Sequence, residues 1–182
     1  MKSVSITLLA LMLSLTAFAQ SQPVPRFAKY AVAKTGCSVY LPGDPGQFEL
    51  TLSQDSSEVY TGEVQQGEFY FAVIVVKFTP ATASEIESQE DKELLMESYM
   101  DYLKEQFSIE EAAGYGRGHT MDDAPKAAGV IDYWTGDDKT EYAVKSWCDG
   151  QYLSVLLLYG PKEYPHYNAQ NMFLNGFRFP GQ

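Results

Sequence analysis

Read for the alternation of apolar and polar positions, the chain divides into short strand-sized runs bounded by turn residues, with one long helical stretch between them. CSVYLP (37–42) is a short strand stopped by Pro42, and GDPG (43–46) is a turn whose glycines and proline supply the backbone angles. FELTLS (48–53) alternates as a half-buried strand does. EVYTGEV (58–64) and EFYFAVIVVKF (68–78) form a hairpin around QQG (65–67), with Gly67 taking the turn. The run from Phe69 to Phe78 is apolar on both faces, which predicts a central strand covered on both sides and ended by Pro80.

Ser84 and Glu87 have capping-box spacing, which predicts a helix from Ser84 to about Phe107 or Ala113. At 3.6 residues per turn Leu95, Met96, Tyr99, Tyr102, Leu103 and Phe107 fall on one side; Glu93, Glu97, Asp101, Lys104 and Glu105 fall on the other. The apolar stripe is read as the face packed on a sheet, and Gly114 as the stop. VIDYWT (130–135), EYAVKSWC (141–148) and YLSVLLLY (152–159) then read as a meander, with turns at GDDK (136–139) and Asp149-Gly150. A two-residue turn there pairs Cys148 with Gln151 and sets Cys148 on the face of Val144, Leu153, Val155 and Leu157. A short helix at 168–175, capped by Asn168, and a last strand FRF (177–179) complete the chain. Residues 20–35 carry Pro23 and Pro25 without a period and read as a lead-in. The order of elements predicts a single α+β domain over 36–180, a mainly antiparallel β-sheet with one long helix and a short C-terminal helix packed on it.

The N-terminus adds an address. Lys2, an apolar run from Val4 to Leu15, and Ala17-Phe18-Ala19 are the three parts of a cleaved signal peptide over 1–19, so the expected location is the periplasm or the exterior. That run is too short to span a bilayer, and no later stretch is longer. AKTGC before Cys37 lacks the aliphatic residue of a lipoprotein signal. The 45% hydrophobic and 14% aromatic shares are those of a packed globule. A formal charge of −11 repels nucleic acid and anionic lipid headgroups, which leaves cationic partners and divalent cations. Cys37 and Cys148 are an even pair in an oxidising compartment: they allow one disulfide, or else two buried thiols, and geometry decides between them.

The second half follows a recognisable order: GR, a loop with a proline, AAGVIDYW, a charged turn, a DG turn before YLSVLLLYGP, then NMFLNGFRF; SVYLPGDP opens the first half. Over residues 36–180 this order resembles the PsbP-like family, which takes in an extrinsic photosystem II subunit, a Ran-binding import protein and many bacterial exported proteins. The resemblance implies an α/β/α sandwich around an antiparallel sheet, and binding or scaffolding more than catalysis. It carries over no catalytic residue.

Two stretches hold candidate chemistry. GYGRGHTMDD (114–123) lacks the lysine of a phosphate-binding loop and follows a helix rather than opening one. No G-x-S-x-G occurs, and His119 and His166 are the two histidines. His119 with Asp122 and Asp123 offers mixed ligands for a divalent cation, or the parts of a hydrolase site, although no calcium-loop spacing is present. Otherwise Gly116 and Gly118 belong to an irregular link. LYGPKEYPHYN (158–168) gathers Tyr159, Tyr164, His166 and Tyr167, side chains suited to contact with a protein or sugar partner or to packing on the sheet edge. The expected function is an exported, non-catalytic binding or scaffold domain for an envelope or secreted protein. No cofactor is predicted, and an exported hydrolase or divalent-ion binding protein built on His119, Asp122 and Asp123 is the alternative.

Overall fold

A computed structural model describes residues 25–182. The signal-peptide segment, and the lead-in up to residue 24, lie outside the described residues. In chain order the strands are β1 (Ala28–Ala31), β2 (Ser38–Leu41), β3 (Glu49–Leu52), β4 (Glu58–Gln66) and β5 (Phe69–Lys77). Helices α1 (Pro80–Ala83) and α2 (Gln89–Gln106) follow. Then come β6 (Ile109–Ala112), β7 (Gly116–Met121), β8 (Ala124–Gly136), β9 (Glu141–Cys148), β10 (Tyr152–Gly160) and α3 (Tyr167–Leu174). One antiparallel sheet runs in the order β3-β4-β5-β10-β9-β8-β6, with β7 also paired to β8, and β1-β2 form a separate ribbon.

The middle strands are apolar on both faces, so the sheet is covered twice. On one face Phe71, Val73, Val75, Leu156, Leu158 and Trp147 pack beneath Val32, Val39 and Leu41 of the ribbon and Phe173 and Leu174 of α3. On the other, Val76, Val144, Leu153, Val155 and Leu157 pack beneath Met96, Met100 and Leu103 of α2. Each such side chain contributes about 1.5–3 kcal/mol when fully buried. The predicted α+β sandwich is the fold observed. Among the described residues no helix is long and apolar enough to cross a membrane.

Several boundaries differ from the sequence reading. Thr79 caps α1 with Pro80 in its first turn, so Ser84 closes that short helix instead of opening the long one. The capping box belongs to Ser88 and Asp91, each accepting the other's backbone N–H. The long helix ends at Gln106; Ser108, at φ +51, turns the chain and Ile109–Ala112 pair with β8 as an edge strand. Gly114 is therefore not a helix stop. Part of the lead-in forms β1, and FRF reduces to a bridge between Ser38 and Arg178. β3 is exposed at all four positions, because nothing packs on this outermost strand. Asn168 does not cap α3, whose N-cap is His166 without a side-chain bond.

The turn after β9 is also longer than expected. Asp149 Oδ1 accepts the N–H groups of Gln151 and Tyr152, both at 2.8 Å, and Cys148 pairs with Leu153. The shift from the expected register is two residues, so every side chain keeps its predicted face.

Helix α2 is turned relative to its predicted orientation. Glu93 and Glu97 are buried, while Leu94 and Tyr102 are exposed. The cause is β7, which lies alongside. Arg117 donates two bonds to the Glu97 carboxylate (2.5 and 2.7 Å), and the Gly118 N–H donates to Glu93 Oε1 at 3.3 Å. Deeper in, the fully buried carboxylate of Asp132 lies 3.1 Å from Lys104 Nζ. It also accepts from Gly114 N (2.9 Å), Tyr133 N (2.8 Å) and Trp134 Nε1 (2.8 Å). Burial alone would lower the Lys104 pKa, but its bonds to Tyr115 and Asp132 outweigh that and raise it.

Of the two arrangements that the cysteines allow, the structure has the pair of buried thiols. Cys37 and Cys148 are both free and buried, Cys37 in the core beneath the ribbon and Cys148 in the core beneath α2. The sheet separates them, and burial pushes both thiols up to about 12.

Two outcomes follow from this packing. Asp132→Ala leaves three N–H groups without their acceptor and takes the buried counter-charge from the Lys104 ammonium, and lowers the unfolding free energy by about 3 kcal/mol in urea titrations. Thiol titration of the air-purified protein in denaturant gives two reactive cysteines, and its melting temperature is the same with and without reductant.

Candidate functional site

The GYGRGHTMDD stretch is not a loose link. It is strand β7 and the tip of a hairpin, with Met121 opposite Ala124 and Asp122-Asp123 forming the turn. The register slips between Gly116 and His119, where Gly118 takes φ +80 in the region that favours glycine. Both aspartates are exposed, and Asp123 Oδ2 lies 4.0 Å from Arg178 Nε. His119 instead sits partway along the strand with its ring turned onto the sheet. The three candidate ligands do not converge, and among the described residues no group of three His, Cys, Asp or Glu side chains could hold a metal ion. A hairpin tip sends its side chains outward, whereas His119 is held on the covered face; the proposed cation or hydrolase constellation is not assembled.

His119 faces a residue that the sequence reading passed over. Lys145 of β9 is only 4% exposed, on the same face as Ala143 and Trp147. Its Nζ donates to Asn175 Oδ1 at 2.7 Å, lies 3.3 Å from His119 Nδ1, and sits 4.3 Å from the centre of the Trp147 ring. Among the described residues no carboxylate pairs with it. Burial lowers its pKa to about 8. The pKa of His119 is lowered by burial first and by the neighbouring Lys145 charge second. The cluster closes over Gly129, which pairs with both His119 and Trp147; a Cβ there would lie 2.5 Å from the Trp147 ring and 2.9 Å from His119 Cβ. Trp147 is fixed in turn by donating from Nε1 to Leu174 O at 3.0 Å. The available signal was parity: EYAVKSWC places Lys145 between Ala143 and Trp147 on the face opposite the one set by Cys148.

The aromatic residues of the second stretch divide. Tyr164 packs edge-on against Phe69 and Phe71, with centroids 4.9 and 5.6 Å away, and against His166 at 5.6 Å. Tyr159 is stacked between Tyr70 and Tyr142 at 5.0 and 5.3 Å, and its hydroxyl donates to Glu63. Burial raises the pKa of both phenols. Tyr167 stays 70% exposed, and Tyr133, which the sequence reading placed only in a strand, is 46% exposed. Beside Tyr133 opens a cleft of about 200 Å³ walled by Phe69, Tyr133, Leu158 and Tyr164, with Glu141, Lys162 and Glu163 also lining it; Tyr167 is not part of its wall. Burial first, and then the neighbouring Tyr167 and Glu163, raise the pKa of Tyr133.

No protein-family model matches the chain, and no curated protein matches it. Among solved structures it is similar to the solution structure of cyanobacterial PsbP (CyanoP) from Synechocystis sp. PCC 6803. The match has 10% sequence identity and a TM-score of 0.50, and covers 87% of this chain and 95% of that one. The fold is therefore PsbP-like, and at that identity the likeness speaks to fold alone.

The buried amine has a measurable pH signature. Folded Lys145 releases its proton near pH 8, the unfolded chain near 10.5. Below pH 8 both states are protonated and the full cost of burying the charge, about 3 kcal/mol, is present. Between the two values the unfolded state binds more protons, so this contribution to stability improves as pH rises. Urea titrations from pH 7 to 10 therefore show the wild type gaining about 2–3 kcal/mol relative to Lys145→Met.

Proposed function

We propose that this protein is an exported binding domain that takes a segment of a protein partner at the cleft beside Tyr133. The observation that carries the reading is a small recess with the half-exposed Tyr133 in its wall and the exposed Tyr167 near that ring. Anchoring tyrosines of this kind dominate protein interfaces, because the ring buries much area while its hydroxyl stays hydrated. The volume, about 200 Å³, is below that of sites for drug-sized ligands and suits one inserted side chain. The formal charge of −11 favours a partner segment with basic residues beside that anchor. Export is supported by the charged, apolar and small-residue order of positions 2–19. The PsbP-like fold agrees with a binding role without specifying one.

The test places a photo-crosslinking benzoylphenylalanine at position 167, or at Leu52 on the distant edge strand, in cells of the native host. A discrete adduct forms from position 167 and not from position 52, and adding Tyr133→Ser removes it without moving the melting temperature. Equal capture from both positions, or none from position 167, rejects the assignment.

A further inference from the structure

The Lys145 cluster has a chemistry separate from the cleft. We propose that Lys145 is a reactive amine, framed by His119 and Asn175, that captures small aldehydes or ketones as a Schiff base. Three features of the geometry carry this. Among the described residues Nζ is buried without a carboxylate partner, unlike Lys104, whose charge is balanced by Asp132. Two neutral acceptors hold it, Asn175 Oδ1 at 2.7 Å and His119 Nδ1 at 3.3 Å. Two of the side chains against it lie at the edge of the fold: Asn175, exposed at the C-terminus of α3, and the half-buried His119 on β7, a strand that among the described residues pairs with β8 alone. Rotation of those two side chains is the route by which a carbonyl compound would reach the amine.

A neutral amine is the nucleophile in such capture, and desolvation supplies it near neutral pH. The nitrogen lone pair attacks the carbonyl carbon, a C–N bond forms, and the carbonyl oxygen takes up a proton to give the carbinolamine. Loss of that hydroxyl as water then leaves the C=N bond. The amine gives up two protons and one water departs, so no oxidant or reductant is needed. His119 Nδ1 faces an ammonium and therefore acts as the acceptor; it takes the amine proton and returns it to the departing hydroxyl. The Trp147 ring, 4.3 Å from Nζ, supplies the apolar wall that disfavours water.

The test treats the folded protein at pH 7.5 with limiting propanal and cyanoborohydride, then maps the propylated lysines by peptide mass spectrometry. Lys145 is labelled at least about tenfold faster than the exposed Lys139 and Lys162, as expected where a lowered pKa raises the neutral fraction. His119→Gln slows labelling of Lys145 at least about tenfold and leaves Lys139 and Lys162 unchanged. The wild-type map needs no variant to fold. Labelling that follows exposure, with Lys139 and Lys162 ahead, or labelling of Lys145 only in denaturant, overturns the proposal, and so does an unchanged rate in His119→Gln. Labelling that survives Tyr133→Ser separates this site from the binding cleft.

Discussion

The structure depends on one constraint: β5, β9 and β10 present apolar side chains to both faces of the sheet, so neither face can be left to water. Val75 and Val76, or Leu157 and Leu158, are neighbours in the chain yet belong to different cores. Two layers must therefore be recruited, α2 to one face and the β1-β2 ribbon with α3 to the other. The same constraint explains the thiols. Cys148 faces the α2 core by strand parity, and Cys37 lies just before β2 in the layer that covers the opposite face, so the sheet stands between them.

Within that frame the charged residues that enter the interior are handled in two ways. Asp132 and Lys104 form a satisfied network at the α2 side, where carboxylate, ammonium, indole and backbone donors complement one another. Lys145 enters the opposite face, where its partners among the described residues are all neutral. The first arrangement stabilises a unique docking of the helix. The second leaves an amine whose charged form is disfavoured, and such residual tension is more often associated with chemistry than with packing.

Function divides in the same way along the sheet. Tyr133 and Lys145 share one face, but Tyr133 lies toward the end where β10 runs into the 161–166 loop, beside a recess and an exposed Tyr167. Lys145 lies further in, under the last turn of α3. A recess that fits one side chain and an amine under the end of α3 are independent features, and each can be removed without the other.

Much of the fold was legible because its signals are local. The apolar run from Phe69 to Phe78, filled on both faces, the strand-length runs of the meander and the turn residues at Gly67 and Asp149-Gly150 are signals of neighbouring residues, which sequence determines by itself. Parity also assigned Cys148 its face correctly, even though the pairing register moved by two residues. What only the tertiary structure decided are relations between segments distant in the chain. β6 and β7 exist as strands because β8 offers them an edge, and α2 turns Glu93 and Glu97 inward because Arg117 and the Gly118 amide wait there. Lys145 meets His119 and Asn175 across gaps of 26 and 30 residues. The candidate sites are of this second kind. His119 was visible as a residue, but whether it faced two aspartates or a buried lysine depended on which way a three-glycine segment paired, and long-range packing settles that where local preference does not.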